Sequence, residues 1–143
     1  MPISRVLLVE DDENDARITE RALRKVGFVG ELIVARDGER ALDCLTQRLE
    51  SAEALPDLVL MDLSLPRLTG LEVLTRLKLH PDLSTLTVLM LTTSSRPEDI
   101  NAAFANGANG YVCKPVYFAR FVDALAEVLA YWAHATCGRV NPT

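Results

Sequence analysis

The chain is poor in cysteine, in clustered basic charge and in long apolar runs, and each shortage closes off a class of function. Its three cysteines, Cys44, Cys113 and Cys137, are odd in number, widely spaced and without a CxxC pair. They supply neither a disulfide framework nor a zinc site, and suit incidental thiols in a reducing compartment. A formal charge of −5, with Lys and Arg scattered along the chain, leaves no basic face for nucleic acid. No apolar stretch approaches the ~18–20 residues that cross a bilayer. A strand-like run begins within a few residues of Met1, which leaves no room for a secretory leader. Neither GxGxxG nor a GxxxxGK loop occurs, so the known glycine-rich phosphate cradles are missing. A cytoplasmic protein without nucleic-acid or membrane partners is expected.

What remains is an ordinary globular composition, 49% apolar and 24% charged, in a chain long enough for one domain and its core. Short apolar runs alternate with longer amphipathic segments. Arg5–Val9 (RVLLV), Glu31–Ala35 (ELIVA), Leu58–Met61 (LVLM), Leu86–Leu91 (LTVLML) and Tyr111–Cys113 have the continuous apolarity of strands buried on both faces. Asn14–Val26 reads as a helix stopped by Gly27, and Asp37 as the N-cap of a helix with Ala41, Leu42, Leu45 and Leu49 on one face. Gly70–His80 is a third helix, blocked by Pro81. Ser95-Arg96-Pro97-Glu98 has the form of a capping box, opening a fourth helix that stops near Gly107. Tyr117–His134 is a long last helix. Residues 1–135 then form a single domain, and residues 136–143 a short tail. Five successive βα units predict an α/β fold, a five-stranded parallel sheet with helices on both faces, because right-handed crossovers place them there.

Polar residues gather where the apolar runs end. Asp11 and Asp12 follow the first strand, Asp62 the third, Thr92 and Thr93 the fourth, and Lys114 the fifth. In a parallel sheet these ends share one edge, the edge at which open α/β sheets bind ligands. Carboxylates brought together there raise one another's pKa. A hard divalent cation relieves that repulsion, and Mg²⁺ takes oxygens from one or two carboxylates together with water and phosphate. Lys114 offers a movable ammonium for phosphate oxygens, and Thr92 a hydroxyl donor. A carboxylate can itself attack phosphorus to give an aspartyl phosphate, so the set describes a phosphoryl-accepting site. Singly the signals are weak: Asp11-Asp12 also suits a helix cap, and Lys114-Pro115 alone carries little. Asp62 is stronger, because a carboxylate directly after four apolar residues must be solvated, paired or metal-bound. Their joint occurrence decides.

The motifs EDD (Glu10–Asp12), MDLSLP (Met61–Pro66) with Gly70 beyond it, LTTS (Leu91–Ser94) and YVCKP (Tyr111–Pro115) resemble, in order, those of two-component response-regulator receivers. The likeness runs from about Arg5 to the last helix. It implies a flavodoxin-like (βα)5 receiver fold and a single-domain response regulator, which is a phosphoacceptor switch that catalyses only its own phosphorylation and dephosphorylation. It implies Asp62 as the phosphoacceptor, assisted by Thr92 and Lys114. Mg²⁺ would be held by Asp12 directly, by Asp11 through water, by Asp62, and by the backbone carbonyl of Ser64. Thr92 and Tyr111 would form the switch, and Pro115 would carry a cis Lys–Pro bond, an isomer that costs little before proline. The stretch HPDLSTLTVLMLTTS, the KPV after the fifth strand and the pair Tyr131-Trp132 resemble stand-alone receivers paired with bacterial and cyanobacterial phytochrome histidine kinases. The implied partners are a sensor histidine kinase, of bacteriophytochrome type, and a second copy of the chain met through the fourth helix, fifth strand and fifth helix. Two departures stand out: Thr93 replaces the Ala or Gly of many receivers, and Tyr117 and Phe118 replace more polar residues.

Some readings stay open. Tyr111 suits a half-buried strand aromatic as well as a switch. On the last helix, Phe118, Phe121, Val122, Leu125, Val128, Leu129 and Trp132 form a stripe for the sheet. Ala124, Tyr131 and Tyr117 widen it, either as the greasy edge of a core helix or as a homodimer contact. His80 and His134 have no evident partners. A phosphohydrolase would need a second Asp two residues after the nucleophile, where Ser64 stands. A flavodoxin-type electron carrier would need a hydroxyl- and Gly-rich loop where Glu10-Asp11-Asp12 stands. The main alternative is a phosphorylation-independent interaction module of receiver fold.

Overall fold

The computed structural model of the chain describes residues 3–138. Strands and helices alternate: β1 Arg5–Val9, α1 Glu13–Val26, β2 Glu31–Ala35, α2 Gly38–Glu50, β3 Leu58–Met61, α3 Gly70–Leu79, β4 Val88–Thr92, α4 Pro97–Ala105, β5 Gly110–Cys113 and α5 Phe118–Gly138. All strand pairs are parallel, in the order β2-β1-β3-β4-β5. The order reverses at β1, so the crossovers on its two sides go to opposite faces and leave a crevice beyond the ends of β1 and β3.

Apart from Arg5, Glu31 and Thr92 at their ends, β1, β2, β3 and β4 are apolar, and the two-residue period of a strand still divides them between two cores. Leu7, Val9, Val59, Met61, Val88 and Met90 pack with Leu45 of α2, Leu74 and Leu77 of α3 and Ala103 of α4. Val6, Leu8, Leu58, Leu60, Leu89 and Leu91 pack with Ala22 and Leu23 of α1 and Phe121 and Leu125 of α5. Helix α1 ends on Gly27, whose φ of 106° is left-handed. The Phe28 amide then reaches back to the Leu23 carbonyl at 3.0 Å, a glycine stop of the kind the sequence signals.

Several ends shift by one residue, and three differ in a way that has a physical reason. Strand β4 begins at Val88, because Leu86 closes a turn onto the Leu83 carbonyl (3.1 Å) and its own carbonyl accepts from Lys78 Nζ (3.1 Å). Helix α4 has Arg96 as N-cap with no side-chain cap bond, so the expected Ser95–Glu98 capping box does not form. Helix α5 runs on through Gly138, into the segment expected as tail. The remainder of that segment lies outside the described residues. No helix among the described residues is long and apolar enough to cross a membrane.

Candidate functional site

Four of the five strands deliver their chemistry at the same edge. Val9 of β1 aligns with Met61 of β3, and Met61 with Met90 of β4. The residues just beyond therefore come together: Glu10 and Asp11 after β1, Asp62 after β3, Thr92 closing β4 and Lys114 after β5. The Asp62 amide donates to the Val9 carbonyl (3.0 Å) and the Lys114 amide to the Thr92 carbonyl (2.7 Å), which extends the ladder up to the site. Helix α3 starts against it. A Cβ on Gly70 would stand 2.4 Å from the Asp62 carbonyl oxygen, so only glycine permits this approach.

Glu10, Asp11 and Asp62 each offer a carboxylate oxygen, and these oxygens lie within 4.8 Å of one another. Glu10 is 2% exposed, and its Oε1 accepts from Lys114 Nζ at 2.9 Å. Burial pushes the Glu10 carboxyl up to about 7, Lys114 opposes the rise, and the Asp62 charge adds to it. Asp62 is half-buried, and its Oδ1 accepts from the Ser64 amide at 3.2 Å. Thr92 is buried, and its Oγ1 accepts from the Ser94 amide at 3.3 Å. Tyr111, half-buried on β5, donates its hydroxyl to the Ser94 carbonyl at 2.9 Å.

Two expectations need correction. Asp12 is not in the acidic cluster. Its carboxylate caps α1, accepting from the Asp15 amide at 2.9 Å, which satisfies one of the free amides of the first turn. Glu10 takes the place in the cluster that the sequence reading gave to Asp12. The signal for it was available, since Glu10 follows four buried apolar residues just as Asp62 does. The cis bond at Pro115 is also not found: every described peptide bond, Lys114–Pro115 included, is trans, the isomer favoured even before proline.

A fixed acidic cluster, one lysine and one hydroxyl at the carboxyl ends of parallel strands can bind a hard cation and a phosphoryl group together. Sequence comparison gives the chain's relationship. Residues 6–126 match the model of the response regulator receiver domain. The chain belongs to the response-regulator receiver family. The receiver is 38% identical over 127 residues to a probable methanogenesis regulatory protein, FilR2, of Methanothrix harundinacea, covering 89% of this chain and 82% of that protein. It is 34% identical over 132 residues to response regulator Rcp1 of Synechocystis, covering 92% and 90%. Among solved structures it is similar to the phosphorylated cyanobacterial phytochrome response regulator RcpA, at TM-score 0.81 and 32% identity over 92% of this chain and 94% of that one. The Mn²⁺-bound form of Rcp1 gives TM-score 0.76 at 32% identity, covering 90% and 94%. The five-stranded receiver fold expected from the sequence is thus the fold observed.

Proposed function

We propose that this receiver is a single-domain response regulator that takes a phosphoryl group from a histidine kinase onto Asp62 in a Mg²⁺-dependent reaction. The observation that carries the reading is the cluster of Glu10, Asp11 and Asp62 with Lys114 on Glu10. The oxygen-only donor set fits Mg²⁺. The raised pKa of Glu10 is the electrostatic cost that a cation would relieve. Glu10, Asp11 and Asp62 would hold the ion, with the Ser64 carbonyl as a further ligand. When bound, it neutralises charge on the transferring phosphoryl group.

The chain's own groups do the rest. Asp62 presents one oxygen as nucleophile while the Ser64 amide orients the other. Lys114 leaves Glu10 to pair with the phosphoryl oxygens, as a point charge on a flexible stem. Thr92 donates its hydroxyl to one of those oxygens, and Tyr111 follows as the second half of the switch. The phosphoryl group biases two states through contacts it makes in only one of them.

Similarity to RcpA and Rcp1 supports a place in a phytochrome light-sensing pathway, with a bacteriophytochrome-type kinase as donor. A homodimer through α4, β5 and α5 fits an open groove of about 620 Å³ lined by Tyr111, Ala124, Val128, Tyr131 and Trp132. Phe104 of α4 and Tyr131 of α5 stay 49% and 47% exposed, an apolar surface that a second copy would cover.

Native mass spectrometry after incubation with a small acyl phosphate and Mg²⁺ tests both parts. A single phosphoryl adduct is expected on the wild type, and none with Asp62→Asn or with a chelator. The same spectra are expected to show a dimer that Tyr131→Glu converts to monomer. A wild type that accepts no phosphoryl group from either an acyl phosphate or a histidine kinase would replace this reading with that of an interaction module.

A further inference from the structure

Ser94 joins the site to β5 and to the start of α4. Its amide donates to Thr92 Oγ1 (3.3 Å), and its carbonyl accepts from the Tyr111 hydroxyl (2.9 Å) and the Cys113 thiol (3.3 Å). Its hydroxyl donates to Asp99 Oδ2 (2.5 Å) and accepts from the Arg96 amide (3.3 Å). Every polar group of this one residue is therefore engaged, and its bonds lead to three elements: the end of β4, β5 and the start of α4.

Asp99 lies in the first turn of α4, where the N-cap Arg96 supplies no side-chain cap. The bond from the Ser94 hydroxyl to the Asp99 carboxylate thus fastens the start of α4 to the end of β4. Hydrogen bonds of hydroxyl to carboxylate are among the stronger ones. Here Ser94 is half-buried and the Asp99 side chain 27% exposed, which limits competition from water. Burial, and to a smaller extent the Asp99 charge, holds the Tyr111 phenol above its usual range, so Asp99 and the Tyr111 hydroxyl sense one another across Ser94. The amide and carbonyl of Ser94 thus join Thr92 to the acceptor of Tyr111 through a single residue.

We propose that Ser94 and Asp99 are positioning residues of the switch: Asp99 fixes the Ser94 hydroxyl, and Ser94 presents its amide to Thr92 and its carbonyl to Tyr111. Only the transmission of a phosphoryl signal in this proposal rests on Asp62 as phosphoacceptor. The resting placement of Tyr111 does not.

The test follows the ring resonances of Tyr111 by NMR in the full chain, assigned with Tyr111→Phe, while intact mass reports the adduct separately. Without phosphodonor, Ser94→Ala and Asp99→Ala are expected to displace the Tyr111 signals, and Ser94→Thr, which keeps the hydroxyl, to restore them. After treatment with an acyl phosphate and Mg²⁺, both alanine variants are expected to form the adduct yet lose at least half of the wild-type Tyr111 response. Asp99→Asn keeps the shape of the side chain and stands in if Asp99→Ala fails to fold, with the same direction of shift expected. Folded variants whose resting Tyr111 signals match the wild type overturn the proposal. A wild type without adduct would remove the phosphoacceptor reading, and the resting spectra would still decide the role of Ser94 and Asp99.

Discussion

The two edges of the sheet carry charge in opposite ways. At the amino-terminal edge the charges of Arg5, Glu31, Arg48 and Asp57 are answered. Asp57 Oδ2 accepts from the Ser4 amide (2.8 Å) and the Arg5 amide (3.0 Å), and Glu31 lies between Arg5 and Arg48. Arg48 also donates to the Ala54 carbonyl at 2.8 Å. At the carboxyl-terminal edge Glu10, Asp11 and Asp62 cluster, and the ammonium of Lys114 pairs with Glu10. The first arrangement ties strands to loops. The second leaves a negative surplus that the fold does not neutralise, and such a surplus is tolerated where something positive, or something transferring charge, is to be bound.

The largest way to sharpen this contrast is to remove Lys114. In Lys114→Ala, Glu10 keeps its burial and its repulsion from Asp62 and loses the cation that pairs with it, so it holds its proton more tightly and the fold survives. The phosphoryl group, by contrast, loses its ammonium. Uptake from an acyl phosphate, followed as adduct mass against time, is expected to slow about 100-fold. An unchanged rate would mean that Lys114 serves only as the partner of Glu10, and the two edges would then differ less than their charges suggest.

How much of this the sequence made legible depends on the kind of signal. Element order, the parallel sheet and the convergence of Asp62, Thr92 and Lys114 follow from apolar runs and what ends them, because strand ends in a parallel sheet have one place to go. The identity of the acidic pair did not follow. Glu10, Asp11 and Asp12 are consecutive, and only the backbone direction at the end of β1 decides that Glu10 turns inward to Lys114 while Asp12 caps α1. The start of α4 departs from its sequence pattern for a similar reason. Its fastening joins Ser94 to Asp99, outside the spacing of a capping box, and depends on Tyr111 and Cys113 from another strand. Position within a pattern of two or four residues is visible in sequence; a one-residue choice settled by tertiary contacts is not.

A smaller effect separates the edges by their response to acid. Glu10 titrates near 7 in the folded chain, against an ordinary 4.5. Between those values the folded state keeps a proton that the unfolded state has released. Its contribution is therefore fully present below 4.5, is lost as pH rises towards 7 and is level beyond, an amount of up to about 3 kcal/mol. Glu31 runs the other way. The hydrogen bond from Arg5 holds it below its ordinary range, so its contribution is present at neutral pH and lost on acidification. Urea unfolding across this range, with chelator present, should show Glu10→Gln stabilised relative to wild type at pH 8 and level with it near pH 4. A difference that stays constant with pH would contradict the burial of a proton at Glu10.

The smallest effect belongs to Asp57. Asp57→Ala releases two backbone amides, of Ser4 and Arg5, that lie near enough to the surface for water to replace the lost acceptor. A loss of about 1 kcal/mol in urea unfolding is expected. Asp57 stands at the start of β3 and Asp62 at its end, a span of about 16 Å at the rise of a strand. Groups that far apart without shared partners act independently, so the rate of adduct formation should match the wild type. A slower adduct would show that pairing at the amino-terminal edge sets the register on which Asp62 depends, and the two edges would then be a single device.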